Sequence, residues 1–410
     1  LLKKILKVAG IIVECNPLHN GHIAHIQETR RITGCEKMIA VMSGNFVQRG
    51  EPAVCDKWRR TKMALLAGVD MVIELPLPYV IGGADYFARG AVGLLAAAGI
   101  VDCLCFGSEA GDIDALKAGG AVLSEEPPIY KEALREALDA GRSFAAARGA
   151  ALTAAMASAT RALTTLPNNG LAMEYCKALA LLGWPMEAYT THRRAGGPSA
   201  TAIRKGIHTN GGVVNSAQGE EMPDFACRIL REARGEMARL DDFSPMFRYL
   251  IARNDAPVLN EGLHHRFRRF AREHTCLTDI LAAVKTKRYT LTRLQREAMK
   301  LILGISPSDM CEYEAAGGPG YIRVLGFRRE SAALLGQLTR RARLPVLTHG
   351  EAVRAFLSQG GAAAKMLEKE WESEDIYPLA YKVGCKPTAH DIYSKKRHNI
   401  IIIGGSKDGL

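Results

Sequence analysis

The feature that most constrains this chain is an alternation, over roughly its first 110 residues, of short apolar runs with helical stretches. Val8–Cys15, Met38–Ser43, Met71–Leu75 and Cys103–Phe106 are rich in apolar and β-branched residues without polar alternation, the pattern of strands buried on both faces. Helices are expected from about His22 to Thr33, over Lys57–Leu66 and from Phe87 to Ala98. Asn16, Pro17, Asn20 and Gly21 mark a turn, and Pro76 and Pro78 a stop. A later run, Met186–Thr191, belongs with the same set. Strands alternating with helices predict an α/β fold, a Rossmann-like, doubly wound parallel sheet with helices on both faces.

Between Gly111 and Thr165 the chain turns Ala-rich, with a helix expected over Phe144–Leu163, and Pro167-Asn168-Asn169-Gly170 caps another that runs to about Leu182. The Ser199–Arg204 segment reads as a strand-to-helix junction, so the first domain is placed at residues 1–215. Residues 216–345 read as a basic helical domain, with Arg266, Arg268, Arg269 and Arg272 followed by Lys285, Lys287, Arg288, Arg293 and Arg296. Residues 346–410 hold one apolar run, Ile400–Ile403, and are given no role. The formal charge of +11 favours an anionic partner. Ten cysteines without a CxxC pair suggest reduced, buried thiols and a cytoplasmic setting. No His or second Cys pair completes a zinc set around Cys103 and Cys105, so no metal site is assigned. No run of about 20 apolar residues suits a membrane span.

Two constellations carry chemistry. In the first, Gly10 to His22, a buried strand ends in a turn that contains Asn16, Pro17, His19, Asn20 and Gly21, and a helix begins at His22. Backbone N–H groups and the helix dipole favour phosphate at such a point. Two histidines three apart can stabilise charge on a phosphoryl oxygen, as imidazolium or as neutral donors. The Walker-type lysine loop is missing, so a different nucleotide fold is required. The second constellation is Ser199-x-Thr201-x-x-Arg204, hydroxyls and a cation at a helix start suited to β- and γ-phosphates or pyrophosphate.

Together these segments resemble the HIGH nucleotidyltransferase superfamily and, within it, the bacterial tRNA(Met) cytidine acetate ligases. The resemblance runs through Ile12–His25, the Val41–Ala53 loop, Lys57 to Lys62 with Gly68–Pro76, Phe87–Ala91, Phe106–Glu109 with Gly111 and Asp112, Pro167–Asn169, Tyr189–Arg193 and Ser199–Thr201. It continues in Lys285–Thr290 with Arg293, Gln295 and Arg296, and in Tyr321–Gly326, fading after about residue 345. It implies a two-step ligase that forms acetyl-adenylate from acetate and ATP, then acetylates N4 of the wobble cytidine of elongator tRNA(Met). It implies that ATP binds Ile12, Val13, Glu14, Cys15, Asn16, Pro17, Leu18, His19, Asn20, Gly21, His22, Ile23, Ala24, His25, Gly107, Asn168 and Arg193. The residue types fit. A glycine at a strand end leaves room for base or ribose, the Asn168 amide could bind adenine or cap a helix, and Arg193 is a fixed cation.

Other assignments are looser. Asn45, Gln48 and Arg49, on a glycine-containing loop after a strand, could hold acetate or the acceptor cytidine, or form a structural turn. Lys57 and Arg60 could face phosphate or solvent. Lys285, Lys287, Arg288, Tyr289, Arg293 and Arg296 suit a tRNA backbone with base stacking on the tyrosine; a solvated helix face is the plain alternative. His19, His22, Ser199, Thr201 and Arg204 form the expected catalytic set, with Mg2+ carried mainly by phosphates. Cys15 and Gly82-Gly83 depart from the family pattern, which usually has an aromatic residue and a larger residue there. The rival readings are a cofactor-biosynthetic adenylyltransferase of the same superfamily and a non-catalytic RNA-binding protein on a nucleotide fold.

Overall fold

The computed structural model describes residues 7–156, 166–183, 185–193, 199–253, 262–382 and 400–404. The N-terminal elements are β1 (Val8–Val13), α1 (Asn20–Thr33), β2 (Lys37–Ser43), α2 (Lys57–Leu66), β3 (Met71–Leu75), α3 (Ala84–Ala97), β4 (Cys103–Ser108), α4 (Pro167–Leu182) and β5 (Glu187–His192). Their strands lie in the order β3-β2-β1-β4-β5, every neighbouring pair parallel. The apolar runs form strands because both faces are covered. Along β2, Ile39 and Val41 enter one apolar core while Met38, Ala40 and Met42 enter the core on the opposite side.

This order fixes where a ligand can sit. From β1 the chain steps outward to β2 and β3, then returns to the other side of β1 for β4 and β5. The winding therefore reverses between β1 and β4, and open α/β sheets bind ligands in the crevice at that reversal, beyond the carboxyl ends of the strands. Pairing of Val13 with Met42, Ser43 with Leu75, and Ser108 with His192 brings those ends to one edge.

Downstream come α5 (Ala200–Thr209), α6 (Ser244–Ala252), α7 (Leu263–Glu273), α8 (Leu291–Ile302), β6 (Ile322–Arg328), β7 (Val346–Leu347), α9 (Gly361–Ile376) and β8 (Ile401–Ile403). β6 adds to the sheet antiparallel to β3, with a bulge at Val72/Ile73, and β7 and β8 both run parallel to β6. Strands from the segments grouped as helical and C-terminal thus extend the first domain's sheet. The helix expected over Phe144–Leu163 is present as Phe144–Ala155, and residues 157–163 lie outside the described residues. Nine free cysteines are described, seven of them buried. Among the described residues no helix is long and apolar enough to cross a membrane.

Candidate functional site

The turn after β1 is built to hold two imidazoles in one protonation state. The strand ends where Cys15 takes a left-handed backbone (φ 49°), and Asn16, Pro17 and Leu18 are buried beneath the turn. His19 is the N-cap of α1, which starts at Asn20, two residues earlier than the sequence suggests. Its Nδ1 accepts the Gly21 amide at 3.0 Å, while Nδ1 of His22 accepts the His19 amide at 3.2 Å. This reciprocal capping satisfies amides that the helix start leaves without partners. An amide only donates, so both Nδ1 atoms are acceptors and each neutral ring carries its proton on Nε2. Burial, then the Arg193 charge, lowers His19 to about 4. Burial and the charges of His19, His25 and Arg193 lower His22 well below the ordinary value. At neutral pH the pair is a double neutral N–H donor, not an imidazolium.

The second constellation meets the first. Arg204, on α5, donates to the Asn16 carbonyl at 2.7 Å and lies 3.5 Å from both Glu51 and the Thr201 hydroxyl. Ser199 is the N-cap of α5 but makes no side-chain cap bond; it and Thr201 are exposed. Glu14 accepts the Gln48 amide at 2.7 Å. Burial raises its pKa against the pull of that amide and of Arg60, Arg204 and Arg49. Across the crevice His25 Nδ1 stands 2.7 Å from the Thr191 hydroxyl, and burial and Arg193 lower this ring also to about 4.

Two expected contacts look different in place. Gly107 lies within β4, and a Cβ there would press on the Arg193 side chain at 3.3 Å, so the glycine makes room first for Arg193. The Asn168 amide donates to Glu109 at 2.5 Å, tying it to the cap of α4. Its neighbour Asn169, not singled out in the sequence, is buried and accepts both the Glu109 and Ala110 amides at 3.0 and 3.1 Å, clamping the loop beyond β4.

A family model described as HIGH Nucleotidyl Transferase matches residues 6–391. A tRNA(Met) cytidine acetate ligase of Caldanaerobacter subterraneus is 40% identical over 397 residues, covering 92% of this chain and 96% of its own. A ligase of the same name from Acetivibrio thermocellus is 38% identical over 423 residues, covering 97% and 100%. The chain belongs to the tRNA(Met) cytidine acetate ligase family. The solved structure of Thermotoga maritima TmcAL bound with alpha-thio ATP superposes with a TM-score of 0.88 at 30% identity, covering 97% of this chain and all of that one.

Against the family pattern, Cys15 is a buried thiol, pushed up to about 12 by burial. A Cβ at Gly82 would lie 2.6 Å from Tyr86 Cβ, so a larger residue there requires that ring to move.

The ligase loop after β2 corrects several expectations. Lys57 and Arg60 face neither phosphate nor solvent; both are fully buried. Arg60 donates to the carbonyls of Glu14, Ser43, Gly44 and Cys55, stitching the ends of β1 and β2 together. Asn45 accepts the Lys57 amide at 2.8 Å and is itself buried, so its side chain builds the loop instead of offering itself to acetate or cytidine. Gln48 is half-buried and Arg49 exposed.

Beneath Gly44, Lys57 Nζ lies 2.5 Å from Glu74, 2.8 Å from Glu374 and 3.5 Å from Glu370, and Arg323 lies 3.0 Å from Glu74 and 2.9 Å from Glu374. Three carboxylates face two cations here. Burial and the neighbouring Glu74 raise Glu370 to about 8. Glu374 sits at about 2, because Lys57 and Arg323 outweigh its burial. With Glu370 protonated the cluster is neutral, as a desolvated group of charges must be. The C-terminal segment, given no role from the sequence, supplies two of its five members.

The basic segment touches the same loop. Gln295 donates to Glu51 at 3.0 Å, and a Cβ at Gly50 would run into the backbone of Gln295 and Arg296. Lys285, Lys287 and Arg288 are exposed, Arg293 and Arg296 half-buried. Tyr289 is buried beside the Arg293 guanidinium, 5.1 Å from its ring, which removes it as a stacking platform.

Proposed function

We propose that this chain activates acetate with ATP and acetylates N4 of the wobble cytidine in elongator tRNA(Met). An acetate oxygen attacks the α-phosphorus in line, the bond to the bridging oxygen of the β-phosphate breaks, and pyrophosphate departs. The cytidine amine then attacks the acetyl carbonyl, AMP leaves, and the amine gives up one proton. The observation that carries this reading is the pair of neutral Nε2–H donors at the start of α1, in the crevice between β1 and β4, with Arg204 fastened to the same turn.

Catalysis of the first step rests on positioning and electrostatics, as phosphoryl chemistry does. His19 and His22 donate to oxygens of the α-phosphate as charge builds there, and need no reorganisation because the helix cap holds them. Ser199, Thr201 and Arg204 hold the leaving phosphates. The backbone of 12–25, with Gly107, Asn168 and Arg193, cradles the nucleotide. Among the described residues no three His, Cys, Asp or Glu side chains group to hold a metal. A Mg2+ arriving with ATP would be held chiefly by phosphate oxygens and would neutralise their charge. Substrate tRNA places the enzyme in the cytoplasm.

The test is mass analysis of elongator tRNA(Met) after incubation with enzyme, ATP and acetate, alongside acetate-dependent exchange of labelled pyrophosphate into ATP. Exchange with a phosphate-bearing acceptor and none with acetate would favour a cofactor-biosynthetic adenylyltransferase. Absence of any exchange would leave a non-catalytic RNA-binding protein.

A further inference from the structure

A second basic surface lies on α6 and α7, outside the elements that form the crevice. Arg248 of α6 faces Arg268 and Arg272, one turn apart on α7, across a cavity of about 300 Å3 floored by Ile251, Ala252 and Ala271. Arg248 Nε donates to the Ala271 carbonyl at 3.3 Å, which fixes the guanidinium across the cleft. Neither Arg248 nor Arg272 is paired with a carboxylate among the described residues, whereas Arg269 on the same helix is paired with Glu273 at 3.5 Å. Arg248 and Arg272, two cations beside one cavity with no carboxylate partner among the described residues, repel each other until an anion enters.

Two neighbouring features indicate how large that anion is. Tyr249, next to Arg248, is 61% exposed, an unusual position for a large ring. The Arg253 guanidinium donates to its hydroxyl at 3.1 Å and lies 5.6 Å from the ring centre. At the other end of the surface, Arg266 on α7 donates to the Val284 carbonyl at 3.0 Å, joining α7 to the exposed cations Lys285, Lys287 and Arg288. Cations thus lie elsewhere on α7 and in that segment as well as at the cleft, more than a small phosphate compound could use. An exposed aromatic ring beside arginines is the arrangement that stacks an unpaired base while its backbone is held.

We infer that the cleft between α6 and α7 binds a backbone phosphate of the RNA substrate, with Tyr249 stacking an unpaired base beside it. This inference rests on the reading that the substrate is a tRNA. It replaces buried Tyr289 with Tyr249 as the stacking residue.

The experiment measures binding of a fluorescently labelled, unmodified elongator tRNA(Met) transcript to the full chain, by anisotropy over a series of salt concentrations. In the Arg248→Gln/Arg272→Gln variant Kd is expected to rise at least about tenfold, and the slope of log Kd against log salt to fall by roughly one. Tyr249→Ala is expected to weaken binding by about five- to tenfold or more with little change in slope, and Tyr249→Trp to restore it. Acetate-dependent pyrophosphate exchange, which needs no tRNA, reports that each variant is folded. These positions are exposed, so the fold tolerates the changes. Wild-type Kd and slope in the double variant would overturn the inference while leaving the tRNA reading intact. A wild-type chain that acetylates and binds no tRNA would overturn the functional reading, and the cleft assignment with it.

Discussion

Replacing Glu370 by Gln is expected to stabilise the protein above about pH 6, although the residue is buried in a charge cluster. Glu370 accepts the Leu77 amide at 2.8 Å and lies against Lys57 and Glu74. Burial and then Glu74 raise its pKa from 4.5 to about 8. The folded protein therefore keeps a proton that the unfolded chain gives up at neutral pH. Stability from this group is present in full below about pH 4.5 and is lost as pH rises toward 8. At about 1.4 kcal/mol per unit, the loss by pH 7 is on the order of 3 kcal/mol. A glutamine keeps an acceptor for Leu77 and a donor for Glu74 but does not titrate. Melting temperatures of both proteins at pH 5, 6, 7 and 8 should coincide near pH 5 and separate steadily, the variant higher. Parallel curves, or a variant less stable at every pH, would refute the assignment of a proton to Glu370 and with it the neutrality of the cluster.

Removing an Nε2–H donor with His22→Ala is expected to lower the maximal rate of acetate-dependent exchange by about 100- to 1,000-fold and to change the KM for ATP much less; unchanged turnover would remove His22 from catalysis. His19 and His25, held at about 4, resist a proton that the unfolded chain accepts near 6.5. Stability is thus full above pH 6.5 and declines by about 1.4 kcal/mol per unit for each ring down to pH 4. Thermal melts in the Glu370→Gln background, free of that group's opposing slope, measure this. Gly50→Ala places a Cβ at φ 77° against the Gln295–Arg296 backbone and is expected to cost about 1–3 kcal/mol with loss of acetylation. Wild-type melting and activity would show that the loop and α8 do not depend on each other.

What could be read from the residues followed from how locally each signal is encoded. The strands β1 to β4 stand out because each is a short apolar run closed by turn residues, and the pairing of the His19 turn with Arg204 is what the resemblance to the HIGH nucleotidyltransferases implies. β6 also carries an apolar run, Ile322 to Phe327, but its partner β3 lies some 250 residues earlier, and nothing local marks it as part of that sheet. Lys57 and Arg60 read as ordinary helix charges, since their burial depends on carbonyls and carboxylates contributed from elsewhere. Glu370 and Glu374, four apart on α9, look like any solvated helix face until Lys57 and Arg323 are opposite them. Tyr289 carries no sign of burial, and Tyr249 none of exposure, because both depend on how the helices pack.

The charge cluster also bears on synthesis. Lys57 leaves the ribosome early, and its partners Glu370 and Glu374 follow 313 and 317 residues later. Chains fold as they emerge, N-terminal part first, so for most of translation Lys57 can meet Glu74 alone and the floor under Gly44 stays unfinished. A nascent or truncated chain lacking α9 would contain the whole His19 turn yet lack the support beneath the adjoining loop. That support is thus complete only once α9 is made, after the helices α6 to α8.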